Sequence, residues 1–101
     1  MKKNIDILTV VAHIKSKKGF EKQVREAFHS LVHPTRAEEG CMDYVFHESE
    51  DDPCSFVFYE NWESRAHLDL HLKTEHIKKV AATAGDFLAE PVKISLWRKI
   101  S

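Results

Sequence analysis

Residues Cys41 to Trp62 read CMDYVFHESEDDPCSFVFYENW, two eight-residue runs rich in aromatic and β-branched residues, Cys41–Glu48 and Ser55–Trp62. Between them lies the polar stretch Ser49-Glu50-Asp51-Asp52-Pro53. Two such runs around a turn-forming segment predict an antiparallel hairpin. Upstream, Ile5 to Lys15 alternates too, with Leu8, Val10, Ala12 and Ile14 on one face and Ile7, Thr9, Val11 and His13 on the other. A period of two predicts a first strand. Gly19 closes a basic turn, and Phe20, Val24, Ala27, Phe28 and Leu31 recur at the spacing of a helix that runs to about Val32, with Pro34 expected to end or kink it. Beyond the hairpin, Ser64 and Thr74 are placed to cap two helices, Ser64 to about Leu72 and then one with an apolar stripe of Ile77, Val80, Ala81 and Ala84. Pro91 opens a last strand, Val92 to Ile100. The order β-α-β-β-α-β is the ferredoxin-like α+β arrangement, an antiparallel sheet with both helical segments on one face. With no linker or repeat, residues 1–101 read as one domain.

The free face of that sheet is the unusual feature. In a two-layer domain it meets water and is polar. Here Ile7 and Val11, Cys41 and Val45 against Met42, Tyr44 and Phe46, and Val57 and Tyr59 against Phe56 and Phe58 make both faces apolar. The expectation is a homodimer in which two sheets pack face to face.

Composition narrows the class. Of 101 residues, 43% are apolar and 31% charged, and 15 basic against 16 acidic residues leave a net charge of −1. No long block of like charge offers a track for phosphates, so no nucleic acid is expected. No apolar run approaches the ~20 residues of a membrane helix. Lys2 and Lys3 resemble the start of a secretory signal, but Asp6 and His13 break the apolar run such a signal needs. Two cysteines are too few for a disulfide framework, and the expected location is the cytoplasm. Cys41 and Cys54 fall at opposite ends of the hairpin, more than ~20 Å apart at ~3.3 Å per residue, and cannot bridge.

Three of the seven histidines, His67, His71 and His76, lie close together. His67 and His71 share a helix face at a spacing that metal ligands use, with Glu63 or His76 as a third. No Cys-x-x-Cys or His-Glu-x-x-His pattern accompanies them, and no metal is expected. His71 and His76 flank a helix stop and a new cap, so both imidazoles can turn toward one cavity, as proton-transfer groups or as a hydrogen-bonded tie between helices. Glu60 sits among Phe56, Phe58 and Trp62 on one strand face, where a carboxyl's pKa rises. With glycines only at 19, 40 and 85, there is no phosphate-binding loop or dinucleotide fingerprint.

Glu39-Gly40-Cys41-Met42-Asp43-Tyr44, Phe58-Tyr59-Glu60-Asn61-Trp62-Glu63-Ser64, Ala66-His67-Leu68 and His71-x4-His76, in that order and spacing, resemble the antibiotic biosynthesis monooxygenase family, most of all its quinol monooxygenase members. The resemblance implies a dimeric α+β barrel of ferredoxin-like subunits, each with a pocket between sheet and helices. It implies oxidation of a quinol, phenol or polycyclic aromatic by O₂ without cofactor. His71 would be the base or relay, His76 its partner or an anion stabiliser, and Glu60 the group that orients one of them. Trp62, Tyr44 and Phe58 would line the slot, with Asn61 also among the substrate-binding residues. The family's haem-degrading branch places an Asn near Ala12 and an axial His near Ala81, which this chain lacks. Another branch isomerises a small phosphorylated ketone with the same His-x4-His spacing, where Lys73 or His13 would meet the phosphate. A non-catalytic ligand-binding dimer is the third alternative.

Overall fold

The computed structural model of the chain describes residues 7–101. Four strands, β1 (Leu8–Lys15), β2 (Cys41–Glu48), β3 (Ser55–Trp62) and β4 (Lys93–Trp97), form one sheet in the order β2-β3-β1-β4. All neighbours are antiparallel. Helices α1 (Glu21–His29) and α2 (Val32–Arg36) connect β1 to β2, and α3 (Arg65–His71) and α4 (Glu75–Ala84) connect β3 to β4. This is the ferredoxin-like α+β fold read from the sequence, with each helical crossover split in two.

Pro34 does not stop the first helix. That helix ends at His29, and Pro34 sits in the first turn of α2, where its missing N–H has no helical partner to lose. The last strand is shorter than the expected Val92–Ile100. It ends at Trp97, opposite Thr9, close to where β1 begins. Ile5 and Asp6, which the alternation placed in β1, lie outside the described residues. Ser64 and Thr74 are the caps expected, accepting hydrogen bonds from the backbone N–H of His67 and Ile77. No helix among the described residues is long and apolar enough to cross a membrane.

The inner face of the sheet carries Val10, Ala12, Ile14, Phe56, Phe58, Trp62 and Tyr44, packed against Val24, Phe28 and Leu31 from the first crossover and Leu68, Val80 and Ala84 from the second. Across β2 and β3 the aromatic rings form a ladder, with Tyr44 on Phe58 at 4.6 Å, Phe58 on Phe46 at 4.5 Å and Phe46 on Phe56 at 5.5 Å between centroids. Such pairs contribute ~0.5–1.5 kcal/mol each beyond the area they bury.

Two expectations about faces change. A bulge at Met42 lets Cys41 face Trp62 while Asp43 faces Asn61, so Met42 is an extra, half-exposed residue rather than a partner of Tyr44 and Phe46 on the inner face. Cys41 instead packs on the core. The outer face is mixed rather than wholly apolar. Val11, Val45, Val57 and Tyr59 share it with a hydrogen-bonded strip in which Thr9 donates to Asn61 Oδ1 (2.5 Å) and Asn61 Nδ2 donates to Asp43 (3.0 Å) and the Tyr59 hydroxyl (3.1 Å).

Candidate active site

Between the inner sheet face and the helices lies a cavity of about 240 Å³. Ala12 and Phe58 form its floor, Ile77 and Val80 its roof, and Leu72, Val92 and Ile94 are partly exposed at its rim. Three polar side chains reach the wall, Tyr44, Glu60 and His71. They lie near one another because Tyr44 pairs with Glu60 across β2 and β3, and the His71 ring packs on Tyr44 at 5.5 Å and on Trp62 at 4.7 Å.

The local fold explains why His71 and His76 converge. His71 ends α3, and Thr74, capping α4, donates its hydroxyl proton to the His71 carbonyl at 2.8 Å. The chain therefore turns within Leu72-Lys73-Thr74, and the first turn of α4 brings His76 back beside His71, 6.2 Å between ring centroids. Both rings meet one carboxylate oxygen of Glu38, His71 through Nδ1 at 2.8 Å and His76 through Nε2 at 2.6 Å. Glu38 is held by the tight link from α2 to β2. Its N–H donates to Thr35, its carbonyl accepts from Cys41, and Gly40 closes the link at φ +85°.

A carboxylate only accepts, so this bonding pattern puts hydrogens on His71 Nδ1 and His76 Nε2 and leaves a lone pair on His71 Nε2. That second nitrogen has no hydrogen-bond partner among the described residues, and the ring lines the cavity. Burial holds the His71 imidazolium below the usual range, outweighing the Glu38 hydrogen bond and charge that favour it, and His76 adds to the lowering. Exposure rises along the three side chains, from 2% at His71 to 15% at Glu38 and 25% at His76, so the cluster leads from the cavity to solvent. Burial also pushes the Tyr44 phenol above its ordinary range, leaving it a neutral donor.

Glu38 is not among the residues expected at the site, where Glu60 is the group expected to orient a histidine. Glu60 does not touch either ring in that way; its Oε1 accepts from Trp62 Nε1 at 2.9 Å. Glu38 lies in a loop with no periodicity, 33 residues from His71, and the one local sign is that it precedes the turn at Gly40. Phe58 and Tyr44 line the cavity. Trp62 is fully buried behind the wall, backing His71 and Glu60. Asn61 does not reach the cavity, because successive strand residues point to opposite faces and it projects outward to Thr9 and Asp43.

His67 and Glu63 also stand apart from the cluster. The His67 ring bonds Ser64 Oγ at 2.8 Å and covers Gly40, where a Cβ would lie 2.3 Å from it. The group able to hold a divalent ion is instead Glu38, His71 and His76, whose donor atoms lie within 4.8 Å of one another. Their 2.6–2.8 Å contacts are those of hydrogen bonds. As built, the three side chains share protons through these bonds. Neither thiol is activated. Burial pushes Cys41 up to about 11, and Cys54 is raised chiefly by desolvation and by its hydrogen bond to Glu21. Both are free cysteines.

Residues 7–83 match the family model described as antibiotic biosynthesis monooxygenase. YgiN of Escherichia coli K12, described as a probable quinol monooxygenase, is 35% identical over an alignment of 101 residues that covers 87% of this chain and 95% of that protein. The Synechocystis protein sll1783 is 32% identical over 93 residues; the alignment takes in 92% of this chain but only 63% of that relative's length. The crystal structure of PA3566 from Pseudomonas aeruginosa superposes with a TM-score of 0.90 at 30% identity, covering 95% of this chain and 96% of the other. The chain belongs to the antibiotic biosynthesis monooxygenase family.

Proposed function

We propose that the protein is a cofactor-independent monooxygenase that oxidises a two-ring hydroquinone or phenol with O₂, using His71 as the base. The observation that carries this is the Glu38–His71 pair at the wall of a mostly apolar cavity, with the ring's Nε2 left without a hydrogen-bond partner among the described residues. A neutral imidazole oriented by a carboxylate accepts a hydroxyl proton, and Glu38 stabilises the imidazolium that forms. His76, more exposed and bonded to the same oxygen, completes the path to solvent.

The anion so formed is electron-rich enough to pass one electron to O₂. Recombination of the radical pair at a ring carbon gives a carbon-bound peroxide, and loss of water leaves a carbonyl. For a hydroquinone the sum is hydroquinone + O₂ → hydroxyquinone + H₂O, so one oxygen atom enters the ring and the other leaves as water. The apolar walls keep bulk water from these intermediates.

Size supports a small aromatic. A cavity of ~150 Å³ holds benzene; 240 Å³ suits two fused rings. The ketone isomerase alternative is less well supported, since among the described residues no lysine or arginine lines the cavity and His13 lies on the outer face. A homodimer through the outer face belongs to the same proposal. Val11, Val45, Val57 and Tyr59 supply its apolar centre, and Tyr59→Arg is expected to yield monomers by light scattering. The functional test is oxygen uptake with a two-ring hydroquinone such as menadiol and with 1-naphthol, above the spontaneous rate, beside a four-ring phenol. Uptake with one oxygen atom of labelled O₂ in the product is expected for the two-ring substrates alone. No uptake with either would overturn the oxygenase assignment.

A further inference from the structure

Glu60 is the carboxyl of the cavity wall, and the His71 relay leaves it without a task. It lies in the middle of β3 and is 3% exposed. Oε1 is bound by the Trp62 indole N–H. Oε2 has no hydrogen-bond partner among the described residues, yet the one walled-in side-chain polar atom without a partner there is Thr35 Oγ1. The free oxygen of Glu60 therefore opens on the cavity that its residue lines.

Its neighbours are defined on every side. On β2, Tyr44 stands opposite and Cys41 lies near; His71 comes from α3, and Glu38 from the α2–β2 link. On β1 the facing residue is Val10, and α4 and β4 contribute Ile77, Val80 and Ile94. No cation among the described residues pairs with the carboxyl. Burial raises its pKa to about 7, against the lowering by the Trp62 hydrogen bond, with a further rise from Glu38. The same cavity thus depresses the imidazolium of His71 and favours the neutral acid of Glu60, the opposed shifts that separate a base from an acid.

We propose that Glu60 is the catalytic acid, donating a proton through its cavity-facing oxygen to the peroxide anion formed on the substrate. This rests on the monooxygenase assignment above and gives the second half of its proton cycle. His71 takes the substrate hydroxyl proton; electron transfer to O₂ and recombination form the C–O bond and leave a negative charge on the outer oxygen. Glu60 gives that oxygen a proton. The O–O bond then breaks as the ring carbon loses its hydrogen, giving the carbonyl and water. The proton taken by His71 returns, through solvent, to Glu60, so both groups end as they began.

Glu60→Gln separates this role from a structural one, since the amide oxygen still accepts from Trp62 while the amide group cannot pass on a proton. Anaerobic fluorescence titration with 1-naphthol is expected to show binding within about twofold of wild type. In aerobic turnover, wild-type kcat is expected to fall as pH rises through about 7. The variant is expected to lose that limb, to be about 100-fold slower, and to release hydrogen peroxide in place of the oxygenated product. A variant that keeps the limb and the wild-type rate overturns the role of Glu60 and leaves the oxygenase intact. Absence of oxygen uptake by the wild-type protein removes the oxygenase assignment and the acid with it.

Discussion

Exchange of Glu60 for glutamine should make the folded protein more stable in alkali and leave it almost unchanged in acid. The carboxyl titrates at 4.5 in an open chain and at about 7 in the folded cavity. Between those values the folded state holds a proton that the unfolded state has lost, so stability falls as pH rises. Each pKa unit is ~1.4 kcal/mol, so the interval corresponds to about 3 kcal/mol, incurred between pH 4.5 and 7 and constant above. The glutamine side chain never ionises and retains the Trp62 hydrogen bond, so the variant escapes this cost. His71 works in the opposite sense. Its folded pKa lies below the open-chain value, so its contribution grows as pH climbs toward 6.5. That effect is common to variant and wild type and cancels in their difference. Urea denaturation at about pH 4.5 and about pH 8.5 reads the result directly. Near-coincident curves are expected in acid, with a variant midpoint higher by roughly 1–3 M in alkali. An offset equal at the two pH values would show that the effect is packing, and no gain in alkali would show that Glu60 is not held neutral by burial.

Other expected outcomes rest on the same geometry. Glu38→Gln keeps an oxygen that can accept from both imidazole N–H groups but removes the negative charge that stabilises the His71 imidazolium; kcat/KM in oxygen-uptake assays should fall by about 100-fold or more. Gly40→Ala puts a side chain at φ +85° and a Cβ 2.3 Å from the His67 ring. Backbone strain of ~1–2 kcal/mol plus displacement of that ring should lower Tm by roughly 8 °C or more in scanning calorimetry, and turnover should drop because Glu38 hangs from the same turn. Exhaustive chelation and then gel filtration should leave turnover within about twofold of its starting value, whereas a loss restored by a divalent metal would contradict proton-only chemistry at the Glu38, His71, His76 cluster.

Much of this architecture was written in local pattern. Alternation in Leu8–Lys15 and Ser55–Trp62 and the capping residues Ser64 and Thr74 report on nearest neighbours, and the elements formed where those rules place them. The His71-x4-His76 spacing also worked locally, since one helix stop and one cap suffice to fold the second imidazole back on the first. What escaped was set by distant contacts. The bulge at Met42 depends on how β2 meets β3, and it shifted the phase of the strand so that Cys41 faces inward. Glu38 lies in a loop, where no period marks the direction of a side chain, and its partners come from helices 33 and 38 residues away. Asn61 was misplaced for a different reason. Its neighbours Glu60 and Trp62 belong to the site face, and the two-residue period that places them there sends Asn61 to the other side.

The base is tested most directly by oxygen uptake with menadiol using metal-stripped wild-type protein and His71→Ala, compared across pH. Wild-type turnover above the spontaneous rate, reduced at least ~100-fold in the variant with binding of 1-naphthol retained, is the expected result. Equal turnover in the two proteins would show that His71 is not the base and that the Glu38–His71 pair is a structural tie between α3 and the α2–β2 link.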